Sequence, residues 1–154
     1  MHNLAIAIED PMTPDIVGML KLHLIDMRET SPPDSVHALD VEALQAADIT
    51  FYSVRQKSLL LGIGALKELT PAHAEIKSMR TTKEARGTGV ASFLLDHLIQ
   101  EGKNRGYNAI SLETGTQAFF TPAHHLYKKF GFVECAPFAS YKLDPNSLFM
   151  EKLL

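Results

Sequence analysis

Apolar residues follow a helical spacing in the middle of the chain and a strand-like spacing on either side of it. From Thr88 onward they recur at every third or fourth position, which predicts an amphipathic helix with one buried face. Residues 74–81 before this helix and residues 109–114 after it are typical of strands. A strand, a crossover helix and a second strand predict a right-handed parallel βαβ unit. The apolar stripe of the helix consists of Ala91, Leu94, Leu95 and Leu98, and Gly102 continues it.

The first half of the chain predicts an antiparallel arrangement. Residues 49–54 and 58–69 are two β-rich runs around Arg55-Gln56-Lys57, which favours a hairpin. Thr13 and Pro14 suit the N-cap and the first position of a helix. The other elements predicted in this half are a strand at residues 4–8 and a helix at residues 40–47, which follows a loop with two successive prolines.

The last third of the chain adds a helix and two strands. The helix begins at Thr121-Pro122 and ends at Gly131, while residues 132–134 and 147–153 are strand candidates. The fold class is therefore α/β, with a mixed sheet and about four helices. A chain of 154 residues that is 45% hydrophobic can build one sizeable core, so we expect a single domain over residues 1–154.

Charge and composition exclude several classes of partner. The formal net charge is −3 and no block of like charges is present, so neither nucleic acid nor an anionic membrane is an expected partner. The start of the chain lacks a basic leader, and nowhere do eighteen apolar residues follow one another. We therefore expect a cytoplasmic protein. The single Cys135 agrees with a reducing compartment.

A glycine-rich turn at the start of the central helix is the first candidate for chemistry. Gly87 and Gly89 let a ligand approach backbone amides that have no partner inside the helix, and such an end attracts anions. Two nucleotide motifs do not fit. A Walker loop needs Lys and Ser or Thr after its last glycine, where the chain has Val90 and Ala91, and a dinucleotide fingerprint needs a third glycine where Ser92 stands.

The sequence of this turn, Arg-Gly-Thr-Gly-Val-Ala, instead matches the pattern Gln/Arg-x-x-Gly-x-Gly/Ala. It resembles the pyrophosphate loop of the GCN5-related N-acetyltransferases (GNAT), and the order of elements along the chain is similar to that superfamily. The resemblance implies acetyl-CoA as donor, with the pantetheine arm bound to the backbone of Met79 and Thr81 between two splayed strands. The implied pyrophosphate loop consists of Arg86, Gly87, Thr88, Gly89, Val90 and Ala91.

Acetyl transfer to an amine requires a base, because an alkylamine with a pKa near 10.4 is almost fully protonated at pH 7. Glu75 occupies the position of the general base in histone-acetylating members of the superfamily. Glu113, on the neighbouring strand, is the second candidate, and a chain of water molecules is a third. A solvated or salt-bridged Glu75 is the structural alternative.

The departing coenzyme A thiolate requires an acid. Tyr127 lies in Leu-Tyr-Lys-Lys-Phe-Gly-Phe, which resembles the superfamily signature Leu-Tyr-x-x-x-Gly-Phe, where this tyrosine is the usual acid. A phenol with a pKa near 10 can donate at neutral pH. The sequence departs from the family at Phe120, where many members carry a coenzyme-contacting Asn. A tyrosine on an apolar stripe can also be core alone.

The acceptor site is expected in the loops at residues 28–38 and 138–143, with Arg28 and His37 as candidate contacts. The acceptor is a primary amine, either of a small molecule or of a protein; a homodimer would also fit the family. His124 and His125 are neighbours on one helix and point about 100° apart, so we expect no metal. A GNAT-like domain that holds acyl-CoA without catalysis, as a sensor or interaction module, is the alternative function.

Overall fold

The computed structural model describes residues 3–30 and 41–154, apart from the side chains of residues 27, 28 and 30. Within these ranges the chain forms one seven-stranded sheet with the strand order β1-β2-β3-β4-β5-β7-β6. The strands are β1 (Leu4–Ile8), β2 (Ile49–Gln56), β3 (Leu59–Thr70), β4 (His73–Thr81), β5 (Ala109–Gly115), β6 (Val133–Glu134) and β7 (Ser147–Leu153). The helices are α1 (Pro14–Thr30), α2 (Val90–Asn104) and α3 (Thr121–Lys129).

The mixed sheet confirms the predicted fold class. Strands β1 to β4 pair antiparallel, and β2 and β3 form the predicted hairpin. Strands β4 and β5 pair parallel, with α2 as the crossover between them. Strand β7 lies antiparallel to β5 and carries the two-residue β6 at the sheet edge.

The prediction of about four helices was wrong in number. The described ranges contain three α-helices, and of the predicted helix at residues 40–47 the described residues 41–47 supply only a short 3₁₀ turn at Ala43–Gln45. Ala46 already has an extended backbone, and Ile49 enters β2 three residues later. Only Leu44 of this turn is buried, and Ala47 is exposed. So short a segment, with one buried anchor, cannot offset the cost of helix nucleation.

Two apolar clusters lie on opposite faces of the sheet. The residues of β3 alternate between them: Ile63 and Ala65 pack with α1, whereas Gly64 faces α2. A Cβ on Gly64 would lie 3.1 Å from Leu94 Cδ2, and one on Gly62 would lie 3.1 Å from Val90 Cγ1. These two glycines therefore allow α2 to pack closely against β3. The larger cluster also contains α3, which brings Tyr127 against the sheet.

Candidate active site

The two central parallel strands part halfway along their length. Their pairing runs from His73 opposite Ala109 to Ile76 opposite Leu112 and then ends. At the same level β4 carries a bulge, since its pairing with β3 shifts register and Ser78 has a φ of 55°. A bulge bends its strand and increases the local twist. Beyond Ile76, the backbone of β4 on this side is left open to another hydrogen-bonding partner.

A groove of about 490 Å³ extends from this opening to the start of α2. The described hydrogen bonds from the helix begin with Phe93 N–H to the Gly89 carbonyl, 3.0 Å, so the preceding amides lie outside the helical ladder. Gly87 and Gly89 have φ values of 74° and 92°, and a Cβ on either would meet no atom within 4 Å. Glycine is needed here for its backbone conformation, and the space around it is open.

The structure divides the expected pyrophosphate loop into two groups. Arg86, Gly87, Gly89 and Ala91 line the groove, as do Met79 and Thr81 of β4. Thr88 instead donates its hydroxyl to the Ala85 carbonyl, and Val90 is fully buried in the core. Thr88 and Val90 thus shape the turn, while the other four face the groove.

A smaller chamber of about 110 Å³ opens where the strands part. Glu75 and Lys77 of β4, Glu113 of β5 and Tyr141 line it on the polar side. The chamber and the groove meet, and the residues that border both are His23, Met79, Phe120, Ala123 and Tyr127.

Tyr127 lies at this junction on α3. Its side chain is 8% exposed and packs edge-to-face against Phe132, with ring centroids 5.7 Å apart. Burial, together with the nearby Glu113, raises the pKa of Tyr127 to about 12. The phenol is therefore protonated at neutral pH and can donate a hydrogen bond into the junction.

Glu113 is the more weakly paired of the two chamber carboxyls. Burial raises its pKa to about 7, and the charges of Glu75 and Asp144 act in the same direction. The nearby Ser147 hydroxyl and the positive charge of Lys77 lower the pKa of Glu113 and so offset part of this increase. The buried Ser147 Oγ nevertheless makes no hydrogen bond of standard geometry. Within the described ranges, Glu113 belongs to no ion pair. Near neutral pH it exists in both protonation states.

Glu75, by contrast, is tied into a buried cluster. Its Oε2 accepts hydrogen bonds from the Tyr141 hydroxyl at 2.6 Å and from Lys77 Nζ at 3.1 Å. Lys77 Nζ also donates to the Tyr141 oxygen at 2.9 Å. Glu75 is only 3% exposed. Burial of Tyr141, together with the charge of the neighbouring Glu75, raises the pKa of Tyr141 well above its usual value. This carboxylate is held by two donors.

A model of the acetyltransferase (GNAT) family matches residues 13–132 of the chain. The matched segment begins just before α1 and includes both the glycine-rich turn and the tyrosine signature. The chain belongs to the GNAT family.

Relatives agree with this membership over the full length. The chain is 49% identical over 149 residues to the uncharacterized N-acetyltransferase YsnE of Bacillus subtilis (strain 168), covering 97% of this chain and 99% of that one. It is 34% identical to an IAA acetyltransferase of Azospirillum brasilense over the whole of both chains. A GNAT acetyltransferase of Elizabethkingia anophelis, solved with acetyl-CoA bound, has the same fold, with a TM-score of 0.73, 18% identity and both chains fully covered.

His23 is a residue of this GNAT site that the sequence did not single out. It lies on α1 three residues after the buried Leu20 and borders both cavities. Burial and the Arg80 charge lower its pKa to about 4, so the imidazole is neutral at pH 7. Arg80 is itself paired with Asp26 at 2.5 Å. A polar residue inside an apolar helical stripe was the only available signal.

The sequence analysis also did not identify Lys77 and Tyr141 as site residues, and the two differ in whether the sequence could have indicated them. Lys77 follows Glu75 by two positions and shares its strand face, so period two could have found it. Tyr141 lies in the segment 138–143, which was expected to border the acceptor, but nothing marked it among its neighbours. Of the predicted acceptor contacts, His37 and the side chain of Arg28 lie outside the described residues.

Neither a metal centre nor a membrane span emerges from the part of the chain that is described. No group of three or more potential metal ligands occurs there. His124 Nε2 donates a hydrogen bond to the Gly115 carbonyl at 2.7 Å. In the same ranges, none of the helices has the length and apolar character needed to cross a bilayer.

Proposed function

We propose that this GNAT protein transfers the acetyl group of acetyl-CoA directly to a primary amine. The observation that carries the proposal is the junction at Tyr127, where a groove leading from an anion-attracting turn meets a small chamber with a carboxyl of raised pKa. These are the parts that direct transfer requires in contiguous positions.

The groove fits the donor. Its glycine-rich end suits a pyrophosphate, because the free amides and the positive end of α2 face open space there. Its other end, at the unpaired part of β4, suits the amides of pantetheine, which can bond to Met79 and Thr81 as an added strand would. A donor held at both ends brings its thioester to the junction.

Tyr127 is the proposed acid. Its protonated phenol borders both cavities, so it can donate to the sulfur as the carbon–sulfur bond breaks and coenzyme A leaves. The pKa of about 12 means that proton transfer to a thiolate is less favourable than hydrogen bonding to it. Stabilisation of the leaving thiolate is therefore the main part of its role.

Glu113 is the proposed base, in preference to Glu75. A base must have a free lone pair and a pKa near the working pH. Glu113 has a pKa of about 7 and no ion pair to a described residue. The Oε2 lone pairs of Glu75 accept from Tyr141 and Lys77. Glu113 takes the amine proton directly or through one water, and the amine nitrogen then attacks the acetyl carbon.

A panel assay tests the function. Coenzyme A release from acetyl-CoA is measured with polyamines, aminoglycosides, amino acids and short peptides. IAA is added because the Azospirillum relative carries that name. Amine-dependent release with a mass gain of one acetyl group on the acceptor is the expected result. Acetyl-CoA binding without release for any acceptor would favour the non-catalytic sensor instead.

A further inference from the structure

The ring of Phe120 packs against Gly115, in space that a Cβ at position 115 would occupy. Its ring atoms Cε2 and Cδ2 lie 2.3 Å and 2.4 Å from the place where a Cβ on Gly115 would stand. The ring therefore rests directly on the glycine backbone at the end of β5. Phe120 is 9% exposed, and Phe119 packs edge-to-face against its outer side at 5.0 Å.

Three hydrogen bonds hold residues 115–117, the segment on which the Phe120 ring packs. The Gly115 carbonyl is bound to His124 Nε2 at 2.7 Å. The amide of Thr116 donates to the Asn146 carbonyl at 3.2 Å, and Gln117 Nε2 donates to Asn146 Oδ1 at 3.0 Å. These bonds join the turn to α3 on one side and to the start of β7 on the other. The ring is consequently a fixed wall.

This wall stands where an acyl group must lie. Phe120 borders both the groove and the chamber, together with Met79, Ala123 and Tyr127. If Tyr127 meets the donor sulfur, as the proposed function holds, the carbonyl carbon lies beside it and the rest of the acyl group points into the chamber. The same chamber of about 110 Å³ must also admit the acceptor amine.

Resting on the proposed function, we propose that Phe120, seated on Gly115, is the specificity-determining residue that restricts the donor to acetyl-CoA and excludes longer acyl groups. The chemistry is unchanged along an acyl series, because the same carbon–nitrogen bond forms and the same carbon–sulfur bond breaks. Only the space beyond the carbonyl differs. One extra methylene in a shaped apolar pocket changes kcat/KM by about 10- to 200-fold.

The test compares kcat/KM for acetyl-, propionyl- and butyryl-CoA with one acceptor. The parent should prefer acetyl- over propionyl-CoA by at least about tenfold, and more strongly over butyryl-CoA. Phe120→Leu, or Phe120→Met if the leucine variant yields too little folded protein, should reduce that ratio by about tenfold through a gain with propionyl-CoA. Phe93→Leu is the matched control: Phe93 is 42% exposed on α2 and borders neither cavity.

Gly115→Ala tests the same contact by changing the glycine instead of the Phe120 ring. A methyl group there would overlap the ring and displace it, and because Phe119 packs against the ring, we expect the ring to move toward the junction. Transfer from acetyl-CoA should decrease, with no gain for propionyl-CoA.

Equal use of all three donors by the parent, or an unchanged ratio in the Phe120 variants, would overturn the inference while the proposed function stands. No transfer from any donor to any amine would overturn both together.

Discussion

The pH dependence of turnover should report the ionisation of Glu113. With a pKa of about 7, roughly one tenth of this carboxyl is ionised at pH 6 and half at pH 7. An alkylamine enters protonated at these pH values, and only the carboxylate form can accept its proton. For the parent, kcat/KM should therefore increase about tenfold per pH unit below pH 7 and flatten above it.

The raised pKa also makes Glu113 a better proton acceptor than an ordinary carboxylate would be. Moving a proton from an alkylammonium of pKa near 10.4 to a carboxylate of pKa 4.5 costs about 8 kcal/mol. The cost is about 5 kcal/mol when the acceptor is Glu113 at about 7. The difference of about 3 kcal/mol is worth about 10² in rate when fully expressed. We expect Glu113→Gln to reduce turnover at pH 7 by about 10²- to 10⁴-fold.

Glu75→Gln is the matched comparison, because it makes the same chemical change in the same chamber. It should keep the inflection but move it to lower pH. The negative charge of Glu75 raises the pKa of Glu113 and the positive charge of Lys77 lowers it, so removing the former leaves the latter unopposed. In Glu113→Gln the inflection should disappear, and the deficit should narrow toward pH 10 as more amine arrives neutral.

Unfolding measurements give the pKa of Glu113 independently. Because the folded-state pKa lies above the ordinary 4.5, the stabilising contribution of the neutral carboxyl is complete below pH 4.5 and is lost as the pH rises through 7. His23, with a pKa lowered to about 4, acts in the opposite direction between pH 4 and 6.5. The parent must therefore be compared with Glu113→Gln, in which His23 is unchanged. The difference should amount to about 3 kcal/mol.

Two results would refute this reasoning. An inflection near pH 7 that survives in Glu113→Gln would mean that another group titrates. A deficit in Glu75→Gln that decreases with pH, beside one in Glu113→Gln that does not, would transfer the base assignment to Glu75.

Three further variants test the rest of the site. Gly89→Asp should abolish acetyl-CoA binding measured by calorimetry, because its carboxylate would repel the pyrophosphate. The control Gly106→Asp, with a similar φ of 82° and hence similar backbone strain, should bind acetyl-CoA normally. Equal affinity of the two variants for acetyl-CoA would exclude the turn as the phosphate site. Tyr127→Phe should leave acetyl-CoA affinity within a few-fold and reduce turnover by about 10²-fold or more; full turnover would make Tyr127 a core residue only. Lys77→Met should reduce the free energy of unfolding by about 3–5 kcal/mol, because it leaves Glu75 buried without its cation. Adding Glu75→Gln should restore part of this loss. If the changes in unfolding free energy of the two single variants simply added in the double variant, the pairing would be contradicted.

Local backbone demands explain why the sequence predicted the glycine-rich turn and the helix that border the groove. A turn that needs two residues at positive φ selects glycine at 87 and 89, and the helix that follows has an apolar period independent of distant contacts. The strands on either side of α2 were predicted for the same reason. The helix expected at residues 40–47 failed because a single buried leucine does not outweigh an adjacent strand that is already paired.

The choice of base could not be made in the same way, because it depends on partners distant in the chain. Glu75 and Glu113 were both recognisable as carboxyls on neighbouring strands. What separates them is Tyr141, 66 residues from Glu75, in a segment with neither helical nor strand periodicity. Phe120 is similar: its departure from the family pattern was visible, but its contact with Gly115 was not.

The two carboxyls of the chamber act as one electrostatic unit in which pairing decides the division of roles. Lys77 is bound to Glu75, so its charge reaches Glu113 largely compensated, and the buried Glu113 keeps a pKa of about 7. Had Lys77 paired with Glu113 instead, that carboxylate would be held in its charged form and would be a poor proton acceptor near neutral pH. In the proposed mechanism, the buried ion pair would therefore serve catalysis by keeping Lys77 away from Glu113, and Glu75 and Lys77 would be positioning residues for Glu113. The pH profile is the measurement that distinguishes this role from a structural one, since loss of stability alone would reduce activity at every pH without moving the inflection.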